Sequence, residues 1–358
     1  MSRRTTSAKC NGAALDAAGG PAIGFADGQG GNGNQRADLL GASAILGSVN
    51  GRPLRSFLFT LIAGVVLLGC GRVVAADDAA GQPTIFVLGD STARNTGNGR
   101  NGQPIVGWGT PLADYFDSAK IAVANVAHAG TSSRTYYNNP GDWPSVLPRI
   151  KAGDFMLLVF GINDGGPPRA VRDRGSIPGI GDETVDLKRD DGTVETAHTY
   201  GWYMSTMANA ARDKGAHVYF LTVTTRNIWT NPKATFRDAT PTDPLPADYD
   251  PKDDRIERGT ANGQYTRWTK ELGVKLHLPV LDLTDLCADK YEQMGREKVN
   301  AFYSDHNHTY LPGADFVAAT IASGLKAFKN SPFVPLLSEK GKALAPADAK
   351  YISDNSAP

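Results

Sequence analysis

Short apolar segments alternate with helix-like segments along most of this chain. Runs of β-branched, aromatic and aliphatic residues with the length of buried strands occupy residues 85–88, 121–125, 155–160, 218–223 and 280–283. Apolar residues recur at helical spacing from position 112 and over residues 202–214, 256–272 and 312–328. Because strands that alternate with helices pair in parallel through right-handed crossovers, the pattern predicts an α/β fold with helices on both faces of a parallel sheet.

Polar groups follow the first three predicted strands at glycine-containing turns. Ser91 follows Gly89, Gly130 lies in the turn after the second strand, and Asn163 follows the third. The carboxyl ends of parallel strands form the edge at which such sheets bind ligands. A serine there can act as a nucleophile, with backbone N–H groups of the turn directed at an oxyanion. The alternative is that Ser91 only caps a helix, but the repetition at three strand ends favours a site.

A second candidate group lies before the last predicted helix. Asp305 and His308 are three residues apart on a predicted tight turn, so the carboxylate can hold Nδ1–H of the imidazole while Nε2 acts as a base. His306, next to Asp305, is expected to point elsewhere. A metal site made of Asp305, His306 and His308 is the alternative. The sequence has no further Cys/His cluster to complete such a site, so no metal is predicted.

Three segments depart from the alternation. Residues 165–198 and 231–254 are rich in glycine, proline and charge, and we expect them to be loops that serve as lids or binding walls. The chain from Ser338 onward is polar, and we expect it to pack loosely or fray. The predicted organisation is therefore one domain over residues 77–332 and a tail over residues 333–358.

The first 76 residues have the composition of an extension and a leader. Residues 1–50 are small, polar and rich in glycine and alanine, which predicts disorder or an upstream segment that is not translated. Residues 51–76 begin with two arginines, Arg52 and Arg55, and continue with an apolar stretch too short to span a membrane, then Arg72 and a small-residue cleavage site. This is typical of a secretory signal and predicts a secreted or periplasmic protein. Cys70 ends an approximate lipoprotein box, so membrane association is expected only if Cys70 is lipidated.

Charge and cysteine content limit the kinds of partner and the covalent cross-links that we expect. The 358 residues carry 37 basic and 37 acidic side chains, and removal of residues 1–76 leaves 30 and 34. Since no basic stripe with interleaved aromatic residues is present, we do not expect nucleic acid to be a partner. Of the three cysteines only Cys287 remains after cleavage, so no intrachain disulfide is predicted and Cys287 is assigned to the core. We expect a monomer.

Four sequence blocks together resemble the SGNH (GDSL-like) hydrolase superfamily, and within it the rhamnogalacturonan acetylesterase group. The blocks are GDST at 89–92, NVAHAGTSSR at 125–134, GIND at 161–164 and DHNHT at 305–309. Residues 174–184, 195–203 and 225–229 also look like that group, so the resemblance covers about residues 83–328. The segment 231–254 is longer than the group would suggest. The resemblance implies a flavodoxin-like α/β/α sandwich and O-deacetylation of pectic or other acetylated plant polysaccharide without a cofactor.

The resemblance also assigns roles to individual residues. It implies Ser91 as nucleophile and Asp305 and His308 as the other members of a catalytic triad. It implies an oxyanion hole made of the N–H groups of Ser91 and Gly130 and the side-chain amide of Asn163.

Substrate contacts are predicted for four further residues, Arg134, His198, Arg226 and Trp229, because arginine can bind uronate carboxylates. The other interpretation is structural: Arg134 clamps a loop, Trp229 packs, and His128 and His198 are satisfied polar residues.

Other activities are less consistent with the sequence. Asp90 and Asp164 could suggest a glycosidase pair, but both follow strand-end glycines where aspartate is a good cap. A lipase or thioesterase of the same superfamily would need an apolar acyl cleft, whereas both segments predicted to be long loops, residues 165–198 and 231–254, are polar. A carbohydrate-binding protein without activity would be expected to lack a triad member, and none is missing.

Overall fold

The computed structural model describes residues 81–169, 174–260 and 263–355, and a six-stranded sheet forms its centre. Its spatial order is β2 (Ala122–Asn125), β1 (Thr84–Leu88), β3 (Phe155–Leu158), β6 (His217–Leu221), β11 (Val280–Leu281) and β12 (Ile352–Ser353). The first five are parallel, and β12 runs antiparallel to β11. This is the flavodoxin-like strand order, and the predicted parallel sheet is confirmed.

Helices cover both faces of the sheet. They are α1 (Ser133–Asn138), α2 (Trp143–Val146), α3 (Tyr200–Asp213), α4 (Gln264–Leu276), α5 (Leu283–Met294), α6 (Arg296–Asn300), α7 (Leu311–Ala327) and α8 (Glu339–Lys342). Alternate strand residues enter two separate apolar cores, Ile85 and Val87 on one side and Phe86 and Leu88 on the other. Residues of α5 and α7 fill the first core, and residues of α1 to α4 fill the second. The predicted three-layer sandwich is therefore confirmed.

The segments expected to be loops contain short strands instead. Residues 165–198 include the hairpin β4 (Thr184–Lys188) and β5 (Val194–His198). Residues 228–256 form a small antiparallel sheet in the order β10 (Arg255–Ile256), β7 (Ile228–Asn231), β8 (Ala234–Arg237) and β9 (Thr240–Pro241). The side chains of Trp229, Phe236 and Ile256 anchor this small sheet in the core. Since so few apolar positions anchor each strand, the alternation is too short to recognise in the sequence.

Two helix boundaries also differ from the prediction. Ile256, expected to begin a helix, lies in β10, and α4 begins only at Gln264 after the left-handed Gly263. The stretch from Leu112 is a single 3-10 turn, Pro111–Tyr115, rather than a longer helix.

The C-terminal segment packs firmly, contrary to the expectation that it frays. Leu337 is completely buried, Tyr351 is 8% exposed, and β12 pairs with β11. The Lys326 ammonium on α7 donates to the Leu344 carbonyl. A few apolar anchors and backbone pairing at a sheet edge hold a segment whose composition is polar.

Cys287 lies in the core as predicted, and its burial raises the pKa of the thiol to about 12. No helix in the described part of the chain has both the length and the apolar composition needed to cross a membrane. The predictions for residues 1–50, the signal at 51–76 and lipidation of Cys70 lie outside the described residues.

Candidate active site

The turn after β1 presents Ser91 at the carboxyl edge of the sheet. Asp90 shapes this turn, since its Oδ1 accepts the Thr92 N–H at 2.8 Å and its carbonyl accepts the Ala93 N–H at 3.2 Å. Burial raises the pKa of Asp90, although the hydrogen bonds from Thr92 oppose that effect. Gly89 packs closely against the next strand, because a Cβ there would lie 3.1 Å from Val159. Ser91 itself is 9% exposed, so its hydroxyl is held in place but is not sealed off.

His308 and Asp305 meet Ser91 from the far end of the sequence. His308 Nε2 lies 2.9 Å from Ser91 Oγ, and His308 Nδ1 lies 2.8 Å from Asp305 Oδ2. With Nδ1–H donating to the carboxylate, Nε2 is free to accept the serine proton. The structure thus brings together in one hydrogen-bonded chain the three residues that the sequence indicated.

Residues 305–308 form a tight turn, the 305–308 turn, built around the Asp305 carboxylate. Asp305 Oδ1 accepts the backbone N–H groups of Asn307 at 2.7 Å and His308 at 2.9 Å. Burial acts to raise the pKa of Asp305. The hydrogen bonds from His308 and from these backbone groups outweigh that effect and hold the pKa of the carboxyl well below its usual range. The hydrogen bond to Asp305 in turn raises the pKa of His308, against the opposing effect of burial.

Three hydrogen-bond donors lie at the turns that follow the first three parallel strands of the chain, β1, β2 and β3. Gly130 adopts φ +80°, a left-handed conformation that favours glycine. The Asn163 amide donates to the Thr131 carbonyl at 2.9 Å, which places the amide beside the Gly130 turn. The second hydrogen of the amide is left for another acceptor. Within the described residues, the N–H groups of Ser91 and Gly130 have no protein acceptor. These groups are available to a negatively charged oxygen.

Asp164 ties two of these turns together. The fully buried carboxylate accepts the Ser133 N–H at 3.1 Å and the Ser176 hydroxyl at 3.1 Å, and it also accepts the Ser133 hydroxyl. Ser133 begins α1, directly after the Gly130 turn, so Asp164 links that turn to the one that carries Asn163. Burial raises the pKa of Asp164 to about 6. Asp90 and Asp164 both accept N–H groups at turns, which agrees with the capping interpretation rather than with a glycosidase pair.

The residues predicted to bind substrate have different surroundings. Arg134 is 2% exposed and donates to Glu195 at 2.8 Å and to the Gly175 carbonyl, so it clamps the 165–198 excursion. Trp229 is 1% exposed and donates to Asn227. These contacts give Arg134 and Trp229 structural partners, and substrate binding by these two residues stays a prediction.

Arg226 and His198 are only partly engaged. Arg226 forms a bidentate ion pair with Glu257 at 2.7 and 2.8 Å, so its charge is already balanced. His198 stacks on Trp202 with ring centroids 3.7 Å apart, and burial lowers its pKa. Substrate binding by these two residues stays a prediction.

A clamp that the sequence did not indicate holds the 305–308 turn from outside. His306 Nδ1–H donates to Asp238 Oδ1 at 2.9 Å, and Arg100 donates to Asp238 Oδ2 at 2.9 Å. Arg237 donates to His306 Nε2 at 2.8 Å. Asp238 lies at the tip of the β8–β9 hairpin with φ +55°, 68 residues before His306. No local spacing could have identified this contact.

The same contacts bear on the metal alternative. His306 and His308 bind different carboxylates, Asp238 and Asp305, and do not converge. Across the residues that the structure describes, no group of three possible ligands is close enough to hold a metal ion.

The arrangement can therefore deprotonate a serine hydroxyl and accommodate an oxyanion, which is the chemistry of acyl transfer.

Comparison with known proteins supports this chemistry. Residues 87–308 match the GDSL-like Lipase/Acylhydrolase family. A rhamnogalacturonan acetylesterase from Emericella nidulans is 28% identical over 248 residues, which is 68% of this chain and 86% of the relative. The rhamnogalacturonan acetylesterase RhgT from Bacillus subtilis is 25% identical over 273 residues, 72% of this chain and 96% of the relative.

A solved structure, that of YxiM from Bacillus subtilis, aligns at 23% identity with a TM-score of 0.48, covering 69% of this chain and 56% of that one. The family match spans more than half of the chain and includes Ser91, Gly130, Asn163, Asp305 and His308. The resemblance noted in the sequence is thereby confirmed: this chain belongs to the GDSL-like lipase/acylhydrolase family and is a carboxylic ester hydrolase.

Proposed function

We propose that this protein is a secreted serine esterase that removes O-acetyl groups from a plant cell-wall polysaccharide, pectic rhamnogalacturonan or a similar polymer. The observation that carries the proposal is the hydrogen-bonded chain from Ser91 Oγ through His308 to Asp305, with distances of 2.9 and 2.8 Å. The substrate class is supported by two relatives that are named rhamnogalacturonan acetylesterases and are covered over most of their length. Secretion is supported by the leader-like composition of residues 51–76.

The first half-reaction transfers the acetyl group to the enzyme. His308 Nε2 takes the proton of Ser91 as Oγ attacks the acetyl carbonyl carbon. The carbonyl oxygen becomes an oxyanion that receives hydrogen bonds from the N–H groups of Ser91 and Gly130 and from the Asn163 amide. Each such donor lowers the barrier by about 3 kcal/mol. The tetrahedral intermediate then expels the sugar oxygen, which takes the proton from His308, and an acetyl-Ser91 ester remains.

The second half-reaction is hydrolysis of that ester. His308 deprotonates a water molecule, the hydroxide adds to the acetyl carbonyl, and the same donors hold the oxyanion. Collapse returns the proton from His308 to Ser91 Oγ and releases acetic acid, which ionises to acetate in solution. Throughout, Asp305 keeps Nδ1 protonated and stabilises the imidazolium that forms in each step.

The test is acetate release by the purified full chain from acetylated rhamnogalacturonan and acetylated xylan, with p-nitrophenyl acetate and octanoate as small esters. We expect acetate from a polysaccharide, and Ser91→Ala should lower turnover by at least about 10⁴-fold. An unchanged circular dichroism spectrum and melting temperature in Ser91→Ala control for folding.

The alternative outcomes are distinct. Near-normal activity of Ser91→Ala would refute the assigned nucleophile. Hydrolysis of octanoate but of neither polymer would indicate a lipase-type or thioesterase-type esterase instead.

A further inference from the structure

A polar cleft of about 480 Å³ lies at the end of β2, where the His128 N–H donates at 3.0 Å to the carbonyl of Gly89, two residues before Ser91. Its walls come from the end of β2, from the segment of residues 141–149 and from Arg94. Arg94 follows Ser91 by three residues, and His128 in the cleft precedes Gly130 by two. The cleft therefore shares segments with both the nucleophile turn and the Gly130 turn. Its volume lies within the range of small-ligand sites, about 300–1,000 Å³.

Two arginines give this cleft available positive charge. Arg94 and Arg149 are both exposed. Arg94 makes one long contact, to the Asn125 carbonyl at 3.4 Å, and Arg149 lies 5.5 Å from the centre of the Phe86 ring. Neither forms an ion pair with a carboxylate in the described ranges of the chain. Most of their guanidinium N–H groups therefore remain able to bind an anion.

The acidic residue in the cleft is already engaged. Asp142 Oδ1 lies 2.8 Å from His128 Nδ1, and Asp142 Oδ2 accepts the Asn139 amide at 2.7 Å. Asp142 is buried, whereas the His128 side chain is 50% exposed. The two arginines therefore outweigh a single compensated carboxylate, and the exposed charge of the cleft is positive.

The His128–Asp142 pair resembles the His308–Asp305 pair in geometry but not in chemistry. His308 Nε2 faces a serine hydroxyl, whereas among the described residues no hydroxyl lies within hydrogen-bond distance of His128 Nε2. The cleft thus lacks a nucleophile of its own. What it offers is a second hydrogen-bonding imidazole beside two cations, which suits binding rather than reaction.

We propose that this cleft binds the carboxylate of a uronate residue in the polysaccharide, while the acetylated sugar of the same chain occupies the Ser91 site. The proposal rests on the proposed function, in which rhamnogalacturonan already supplies the uronate, and it assigns the residues that bind this carboxylate. Arginine fits a planar carboxylate because its N–H groups can donate in parallel to both oxygens. His128 and Ser145, which also line the cleft, suit the neighbouring sugar hydroxyls.

The kinetic test compares an acidic with a small neutral substrate. For Arg149→Gln, kcat/KM on acetylated rhamnogalacturonan oligosaccharides, divided by kcat/KM on p-nitrophenyl acetate, should fall about tenfold through KM. Arg94→Gln combined with Arg149→Gln should lower the ratio further, while the ratio of acetylated xylo-oligosaccharide to p-nitrophenyl acetate should stay constant. Arg267→Gln, on the exposed face of α4, is the matched control with one arginine removed elsewhere. Equal ratios in Arg149→Gln and Arg267→Gln would overturn the proposal.

A binding test separates this proposal from the function on which it rests. Ser91→Ala protein is titrated with trigalacturonate, with xylotriose and with inorganic phosphate, by calorimetry. Binding of trigalacturonate alone, weakened in the Arg149→Gln background, supports the cleft even if no polysaccharide is deacetylated. Acetate release without trigalacturonate binding overturns the cleft and leaves the proposed function intact. Binding of phosphate but not of trigalacturonate would also overturn it, since the cleft would then be a phosphate site.

Discussion

Single carboxylates control the site at the residue scale. Asp305 fixes the shape of the 305–308 turn through two backbone N–H groups and orients the His308 ring with the same side chain. Asn at this position keeps an oxygen for the backbone but loses the charge. We therefore expect Asp305→Asn to leave the fold intact and to lower kcat on p-nitrophenyl acetate by about 10³-fold or more.

The same variant has a signature in the pH profile. Activity requires neutral His308, so kcat/KM falls as the pH drops through the pKa of this residue. The hydrogen bond from Asp305 raises that pKa. Its loss should move the acid limb of the profile to lower pH. An acid limb in the same place as that of the wild type would contradict this account.

Asp164 predicts a pH dependence of stability. Its pKa is raised from 3.8 to about 6 by burial, so the unfolded chain loses this proton at lower pH than the folded one. Folding is therefore favoured below about pH 4 relative to above pH 6, and the contribution is lost as the pH rises between them. We expect the change in unfolding free energy over this window to differ between wild type and Asp164→Asn by about 3 kcal/mol, measured by urea titration. Parallel curves for the two proteins would contradict the prediction.

Local spacing was sufficient to find the reactive groups but not their supports. Ser91 follows a strand, and Asp305 and His308 lie within one turn, so their patterns are short enough to recognise. Asp238 contacts His306 across 68 residues, from a strand pair that carries little apolar pattern. Arg134 and Trp229 have the chemistry of substrate-binding residues, but only the packing around them shows that they are buried.

At the scale of elements, the β8–β9 hairpin acts as a brace for the 305–308 turn. Asp238 at its tip joins His306 and Arg100, and its left-handed backbone suits Asp or Asn. Asp238→Ala should lower kcat on p-nitrophenyl acetate about tenfold, because His306 Nδ1–H loses its acceptor and His308, two residues further on, is held less firmly. Asp238→Asn, which keeps an acceptor and the backbone preference, should restore most of the activity.

The matched control for this brace is Asp243→Ala. Asp243 is exposed in the same segment and makes no side-chain hydrogen bond in the described structure. If Asp238→Ala and Asp243→Ala have equal kcat values, the hairpin does not position the catalytic histidine.

At the scale of the whole molecule, the sheet order followed from the alternation of strands and helices together with the family resemblance. The position of the last strand, β12, could not be predicted, because two residues at the end of a polar segment carry no recognisable pattern.

Tyr351 beside β12 packs into the core, and its hydroxyl donates to Asp289. We expect Tyr351→Ala to lower the free energy of unfolding by about 3 kcal/mol in urea denaturation. The exposed Lys329→Ala should change it by less than about 0.5 kcal/mol, and a similarly small effect of Tyr351→Ala would show that the tail is dispensable.

The separation of Ser91 from His308 by 217 residues has a consequence for biosynthesis. During synthesis, the nucleophile leaves the ribosome long before its base. A nascent or truncated chain therefore carries an unactivated serine and cannot cleave esters. Because β12 is synthesised after β11, β11 is an open sheet edge until β12 pairs with it, and an open edge favours pairing with other chains. Hydrolytic competence therefore arises only after His308 has been synthesised, and protection of the sheet edge only after β12 has been synthesised.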